Sequence, residues 1–563
     1  MKRIAIIALA CSVNHASGQH LLYIPDTLSG STFNLTVHPD SVQFFPGTIT
    51  QTLGINSHKY LGPTLIFRKG DSVSITVNNQ IGDTTTMHWH GLHVAPKNDG
   101  GPFSMIMNAT SWNPQFTMRN NAATYWYHPH MMMKTAEQAI KGDIGLIIVR
   151  DDAEGALSLP RRYGVDDFPI IVQSVELDGQ NQFMPTGMVD SIELVNGTVS
   201  PYVSMPSQVV RMRLLNASGE RTYNFGFTAN QSFNVIGNDD GLLPAPVSTT
   251  RIRLSPGERA EILLDLSGMN GQTIHLMSYA SELPMGIQGG PTMPMPPGSP
   301  LMNSPLNGID FNILQINIGA QTSSPVTAIP TTLIPDTPYL ESMANTTRSI
   351  TMTADSMMVM DGPFYFNHNL FDMMRINYRI PLNNIEVWTL MDRTMVAHPF
   401  HIHDVHFYIL DRNGVAPSAV ESGKKDVVLI QSMETVRVIA KFEDFADTTT
   451  PYMYHCHILM HEDDGMMGQF VVTSSTESIK NISSVIGLNV YPNPARNELN
   501  IYLKNMSAQN KTTIKVIDVL GREIYNGIFD DFIRLNTTNW KKGIYTLFTN
   551  NNEQIAVQKI VID

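Results

Sequence analysis

Apolar and polar side chains alternate one by one through short runs of this chain, as in Ser72-Val73-Ser74-Ile75-Thr76-Val77 and Val209-Val210-Arg211-Met212-Arg213-Leu214, separated by Gly, Pro and Asn. A period of two sends successive side chains to opposite faces of a pleated strand, so the pattern asks for half-buried sheets, and helical periodicity is scarce. The expected fold class is all-β. Strand phrases also recur: Gly70 to Asn79, Gln208 to Asn216 and Asn384 to Leu390 each open a strand in a comparable place, and Gly257 to Leu266 is echoed by Met433 to Asp444. Self-similarity at a spacing well over about 100 residues points to three related β-sandwich domains rather than a solenoid.

The 563 residues exceed what one hydrophobic core can organise, and typical domain sizes suggest roughly three to five units. Pro, Thr and Ser displace the alternation near Asp152 to Tyr163 and within Gly319 to Thr347. The expected domains are therefore residues 19–155, 160–320 and 345–475, with a small fourth β unit at 485–563. Residues 1–18 read as a secretory signal peptide, with Lys2 and Arg3, the apolar run Ile4 to Ala10, and Ala16-Ser17-Gly18 at the cleavage point. No later stretch approaches the roughly 20 apolar residues of a transmembrane helix, so a soluble mature protein is expected. A hydrophobic content of 42% against 15% charged residues describes a packed globular chain, and a net charge of -13 without Lys/Arg blocks excludes nucleic acid as a partner.

Two cysteines are present, and Cys11 falls in the signal segment, which leaves Cys456 alone. A lone thiol in an exported protein is an oxidation liability unless it packs inertly or binds a metal. Its neighbours decide. Ten of the 18 histidines fall into four groups: His88-Trp89-His90, His128-Pro129-His130, His398-Pro399-Phe400-His401-Ile402-His403, and His455-Cys456-His457 with His461. In a strand each His-x-His pair points two imidazoles to one side, and His455 and His457 face away from Cys456, so one tripeptide can serve two metal sites. His398, Cys456 and His461 with a weak axial Met466 make the ligand list of a blue-copper electron-transfer centre. The other eight histidines are too many for one ion and suit three; a structural zinc site, closed by four ligands, would leave most of them idle.

These groups resemble the four copper-binding signatures of the multicopper oxidases, the class of laccases, bilirubin oxidase, spore-coat laccase and the periplasmic cuprous oxidase. The resemblance spans roughly Thr32 to Thr473 and includes Gly91, Gly100-Gly101-Pro102, Lys134-Thr135-Ala136-Glu137-Gln138, Phe371-Asp372-Met373 and Glu462-Asp463. It implies three cupredoxin-like Greek-key sandwiches and four copper ions. His398, Cys456, His461 and Met466 would hold the type 1 copper, and His88 and His401 the type 2 copper. His90, His128 and His457 would hold one type 3 copper, and His130, His403 and His455 its partner. Asp99 and Glu462 match the family's proton donors, which reduction of dioxygen to water needs in a buried site. The implied activity is oxidation of a small phenol or aromatic amine, docked at the exposed edge of His398 or His461. Met285, Met293, Met295 and Met302 add the alternative of a cuprous oxidase, and a non-catalytic copper-storage protein is the rival from another class. Met131-Met132-Met133 departs from the family pattern and reads as packing; His93, His406, His275 and His368 read as structural. The last 75 or so residues, with Tyr491-Pro492-Asn493-Pro494 and Gly543-Ile544-Tyr545, resemble a type IX secretion sorting domain, a small β-sandwich that implies export to the cell surface or beyond by that machinery.

Overall fold

The computed structural model describes residues 19–185, 189–292, 304–356, 359–360, 362–474, 487–504, 512–518, 522–550 and 555–563. The expected signal peptide and Met293, Met295 and Met302 lie outside the described residues. Strand accounts for 49% of the described residues and helix for 6%. The chain divides into two compact units, one ending at Thr473 and the other beginning at Ser474. Among the described residues no helix is long and apolar enough to cross a membrane.

Among the described residues the first unit holds six sheets that pair into three sandwiches around separate cores. In the first, the sheet Thr27–Ser29, Thr64–Arg68, Gly145–Arg150, Thr124–His128, His88–His90 covers a sheet built on Thr32–Val42 and Ser72–Asn79. The alternation read from the sequence lies directly under this packing: Val73, Ile75 and Val77 point inward and are buried, while their neighbours on Ser72–Asn79 are half-buried or exposed. In the third, Tyr378–Pro381, Met467–Thr473, Asp447–Cys456, His398–Ile402 and Val427–Ile430 form the sheet that carries the ligand strands. The middle sandwich packs Phe168, Val210 and Ile262 against Phe225, Leu276 and Ile316. One boundary differs from expectation. The strand His20–Leu21 pairs in parallel with Pro201–Tyr202, and Leu22 is buried in the second core, so the opening residues belong to the second sandwich rather than to a 19–155 unit.

The second unit is a small sandwich by itself. A sheet of Gly487–Tyr491, Glu498–Lys504 and Phe532–Asn536 and one of Glu523–Phe529, Thr512–Asp518, Gly543–Asn550 and Ile555–Ile562 enclose Leu499, Ile501, Ile514, Val516, Leu547 and Ile560.

Candidate metal centres

The register of two antiparallel strand pairs builds the larger centre. His88 lies directly across from His128, and His401 directly across from His455. Cross-strand partners carry their Cβ atoms about 4.5–5.5 Å apart, so each pairing brings two imidazoles together without loop geometry. His90, His128 and His457 then offer ring nitrogens within 4.8 Å of one another, as do His130, His403 and His455, and His88, His90 and His401. All eight are buried.

Ring nitrogens face each other in this cluster. His90 Nδ1 is 3.2 Å from both His128 Nε2 and His457 Nε2, and His403 Nε2 is 3.3 Å from His455 Nε2. At about 2.0–2.1 Å per metal–nitrogen bond, that spacing accepts one cation between them. Buried nitrogens that face the cluster and have no hydrogen-bond partner include His88 Nε2, His401 Nε2 and His130 Nε2. A buried nitrogen without a partner costs about 1–3 kcal/mol, and a bound metal ion would accept these lone pairs. The far sides of the rings are anchored: Nδ1 of His88 is 2.9 Å from the Asp99 carbonyl, Nδ1 of His401 2.8 Å from that of Asp426, and Nδ1 of His128 2.8 Å from that of Pro129. Donation of Nδ1–H to a carbonyl leaves the Nε2 lone pair for a metal. Burial, and then the crowding of like rings, holds His88, His130, His401, His403 and His457 well below the ordinary histidine range, with His128 at about 4. Neutral imidazole is the form that ligates.

The smaller centre joins His398, Cys456 and His461. Cys456 Sγ is 3.7 Å from His398 Nδ1 and 3.5 Å from His461 Nδ1. A short helix, Leu459–Asp463, returns His461 toward the thiol, and the backbone closes the loop: Cys456 N–H donates to the Met466 carbonyl at 3.0 Å, and Met466 N–H to the His461 carbonyl at 2.8 Å. Met466 is buried beside them. Thr394 Oγ1 sits 3.0 Å from His398 Nε2 and donates to Asp392, while Phe364 lies 4.6 and 4.5 Å from the His398 and His461 rings. The expected exposed edge is found at neither ring: His398 is fully buried and His461 retains only 5% exposure, with Phe364 against both and Thr394 against His398.

Both acids reach the larger centre. Asp99 Oδ2 is 2.7 Å from His403 Nδ1, and burial followed by the nearby Asp404 carboxylate pushes the Asp99 carboxyl well above the usual range. Glu462 places Oε1 3.1 Å from His130 Nδ1 and Oε2 3.1 Å from His455 Nδ1, with Thr135 donating to Oε1 at 2.9 Å.

Four contacts were not anticipated from sequence: Asp426 and Arg259 behind His90 and His401, Thr394 behind His398, and Thr135 on Glu462. Asp426 and Arg259 are single polar residues remote from the histidine groups, and although Thr394 lies four residues before His398 and Thr135 within the segment Lys134 to Gln138, nothing in their spacing alone assigns them these contacts. Of the histidines read as structural, His93 meets Asp404 at 2.8 Å and Asp444 at 3.0 Å, His406 meets the Gly91 carbonyl at 2.9 Å, His368 meets Thr353 at 3.4 Å, and His275 is half-buried on Thr273–Ser278. Met131 and Met132 are half-buried, but Met133 is exposed with φ near 61°, so packing does not account for the third methionine.

Residues 36–154 and 335–476 each match a family model described as Multicopper oxidase, and residues 489–563 match one described as Secretion system C-terminal sorting domain. Among curated relatives, the Multicopper oxidase mco of Staphylococcus haemolyticus is 31% identical over 82% of this chain and 94% of its own length. The cell division protein FtsP of Escherichia coli is 32% identical over 83% and 95%. Among solved structures, a laccase-like multi-copper oxidase, CueO, from Ochrobactrum is 30% identical with a TM-score of 0.71, covering 80% of this chain and 100% of its own. The McoA multicopper oxidase of Aquifex aeolicus is 28% identical with a TM-score of 0.71, covering 81% and 100%. With the ligand geometry and these likenesses agreeing, the chain belongs to the multicopper oxidase family.

Proposed function

We propose that this chain is a four-copper, laccase-like oxidase that takes single electrons from four molecules of a small phenol or aromatic amine and delivers them, with four protons, to dioxygen as two waters. The observation that carries the reading is the tripeptide His455-Cys456-His457, whose side chains enter three different ligand groups. Bound copper would supply one-electron transfer at the Cys456 centre and a binding and reduction site for dioxygen at the histidine centre. His398, Cys456, His461 and Met466 are assigned to the type 1 ion, His88 and His401 to type 2, and the sets His90/His128/His457 and His130/His403/His455 to the type 3 pair. Distances within the sets His90/His128/His457, His130/His403/His455 and His398/Cys456/His461 support this division. His455 Nδ1 lies 3.0 Å from the Cys456 carbonyl, a hydrogen-bonded shortcut beside the covalent path between the two centres. His461, the less buried of the two imidazoles beside Cys456, is the entry point for electrons, and Asp99 and Glu462 are placed to hold protons beside the histidine cluster.

A second reading, a cuprous or other metal-ion oxidase, draws support from exposed thioethers near the smaller centre. Met374 is 91% exposed on a segment tied to Gly465 through Phe371 N–H, and Met285 is 60% exposed next to Gly286, whose carbonyl accepts Ala397 N–H at 2.7 Å. Thioethers are soft ligands suited to Cu(I). One relative is named a cell division protein, so family membership alone does not carry an activity; the complete ligand set is the support here. A copper-storage role would not require that set. The C-terminal domain supports export through the type IX route, with the tail removed at the cell surface or beyond.

Oxygen uptake measured side by side with phenols, bilirubin and Cu(I) separates these readings. Turnover of phenols without Cu(I) oxidation supports the first, the reverse supports the second, and no uptake with any donor sinks both. Cys456→Ser is expected to abolish the blue absorption and turnover while the fold persists, and a variant that stays blue contradicts the assignment.

A further inference from the structure

The middle sandwich contributes none of the ten clustered histidines, yet the turn that leads into its strand Arg259–Asp265 forms one wall of the larger centre. Gly257, at a φ of 85°, lies so close to His457 that a Cβ there would stand 2.8–2.9 Å from the imidazole. Two residues on, Arg259 is completely buried and uses all five of its N–H groups. Nε donates to the Thr124 carbonyl at 3.2 Å; Nη1 donates to the Gly257 carbonyl at 3.1 Å and to Asp426 Oδ1 at 2.6 Å; Nη2 donates to the Asp239 carbonyl at 2.9 Å and to Asp426 Oδ2 at 2.6 Å. Thr124 heads the strand that ends in His128.

Asp426 is gripped from behind as well, since Asp239 accepts both its backbone N–H at 3.2 Å and Lys425 Nζ at 3.1 Å. Held in this way, Asp426 meets two histidines of the cluster. Its carbonyl is 2.8 Å from His401 Nδ1, and its Oδ1 is 3.2 Å from His90 Nε2. A carboxylate already clasped by a guanidinium can only accept, so His90 must turn Nε2–H toward it and keep the Nδ1 lone pair for the cluster, where Nδ1 faces His128 and His457. That is the reverse of His88, His128 and His401, whose Nδ1 is the anchored nitrogen.

Resting on the copper reading above, we propose that Arg259 is a positioning residue for the histidine centre: through Asp426 it selects the nitrogen that His90 presents and fixes where His401 stands. The ligand-free sandwich thereby takes part in assembling the site. The pairing is bidentate, a geometry Lys cannot reproduce.

The test compares Arg259→Gln with Arg211→Gln in the full chain. Arg211 is an equally buried arginine of the same sandwich, paired with Glu261 and Glu154 rather than with the histidine cluster. In copper titrations of metal-free protein, Arg259→Gln is expected to weaken copper binding at the histidine centre by about tenfold or more and to uncouple the type 3 pair in its magnetic-resonance signature, while the blue absorption of the Cys456 centre stays at its wild-type level. Arg211→Gln should lose stability and keep both signatures. Wild-type copper binding and pair coupling in Arg259→Gln, or equal loss in Arg211→Gln, overturns the proposal. A readout that needs no variant to fold is the 15N resonance of the His90 ring in the metal-free wild-type protein. The proton is expected on Nε2, and a proton on Nδ1 overturns the proposal. If wild-type protein binds copper without any blue absorption, the parent reading fails instead, and the His90 tautomer still reports on the Arg259–Asp426 pair.

Discussion

Asp99 touches the histidine centre twice: its side chain at His403 and its backbone carbonyl at His88. Replacing it with Asn keeps the backbone carbonyl and the shape and removes the acidic proton that a carboxyl can transfer. Asp99→Asn is therefore expected to retain full blue absorption while slowing turnover at saturating donor by about a hundredfold, the lower end of what positioned acids contribute; unchanged turnover excludes the role. The grouping of the histidines was readable from the sequence because most of them come as His-x-His pairs, and a strand converts that spacing directly into two imidazoles on one side. Asp426, Arg259 and Thr394 were not readable, because each acts across a domain boundary or a loop as a single polar residue, and only the folded chain brings it behind its histidine. The burial of His398 and His461 has the same origin, since Phe364 packs on both rings and Thr394 on His398 only in the folded chain.

At the scale of elements, the first and third sandwiches repeat one device. Tyr127 precedes His128 and lies across from Gly145; Tyr454 precedes His455 and lies across from Gly468. In both cases the tyrosine ring covers the glycine, so that a Cβ on Gly145 would collide with the Tyr127 hydroxyl, and one on Gly468 with that of Tyr454. The ring packs flat only because glycine is there, and its backbone then sets the height of the neighbouring ligand. Gly145→Ala is expected to destabilise the protein by about 1–3 kcal/mol, as overpacking does, with the blue absorption retained because the Cys456 centre belongs to the other sandwich. A melting temperature equal to wild type contradicts this account of the strand pair. The strands themselves were anticipated closely: the phrase Asn384 to Leu390 is the strand Ile385–Asp392, and Met433 to Asp444 contains Thr435–Lys441. The parallel pairing of His20–Leu21 with Pro201–Tyr202 escaped notice because two residues carry no period.

Across the whole of the first unit, charge joins what separate cores leave apart. His93 of the first sandwich lies between Asp404 and Asp444 of the third. Burial alone would lower its pKa, but the two carboxylates outweigh burial and raise it to about 9. A histidine whose folded pKa is raised contributes stability that is complete below its unfolded value of about 6.5 and is lost as pH climbs toward the folded value. Thermal stability is thus expected to fall between about pH 6.5 and 9, and His93→Gln should flatten that part of the profile; identical profiles would remove His93 from the account. The central claim, two linked centres that reduce dioxygen fully, is tested most directly by the ratio of donor oxidised to oxygen consumed, with peroxide assayed in the same reaction. Four one-electron donors per dioxygen and no peroxide is the predicted result. Two donors per dioxygen with peroxide accumulating would contradict it.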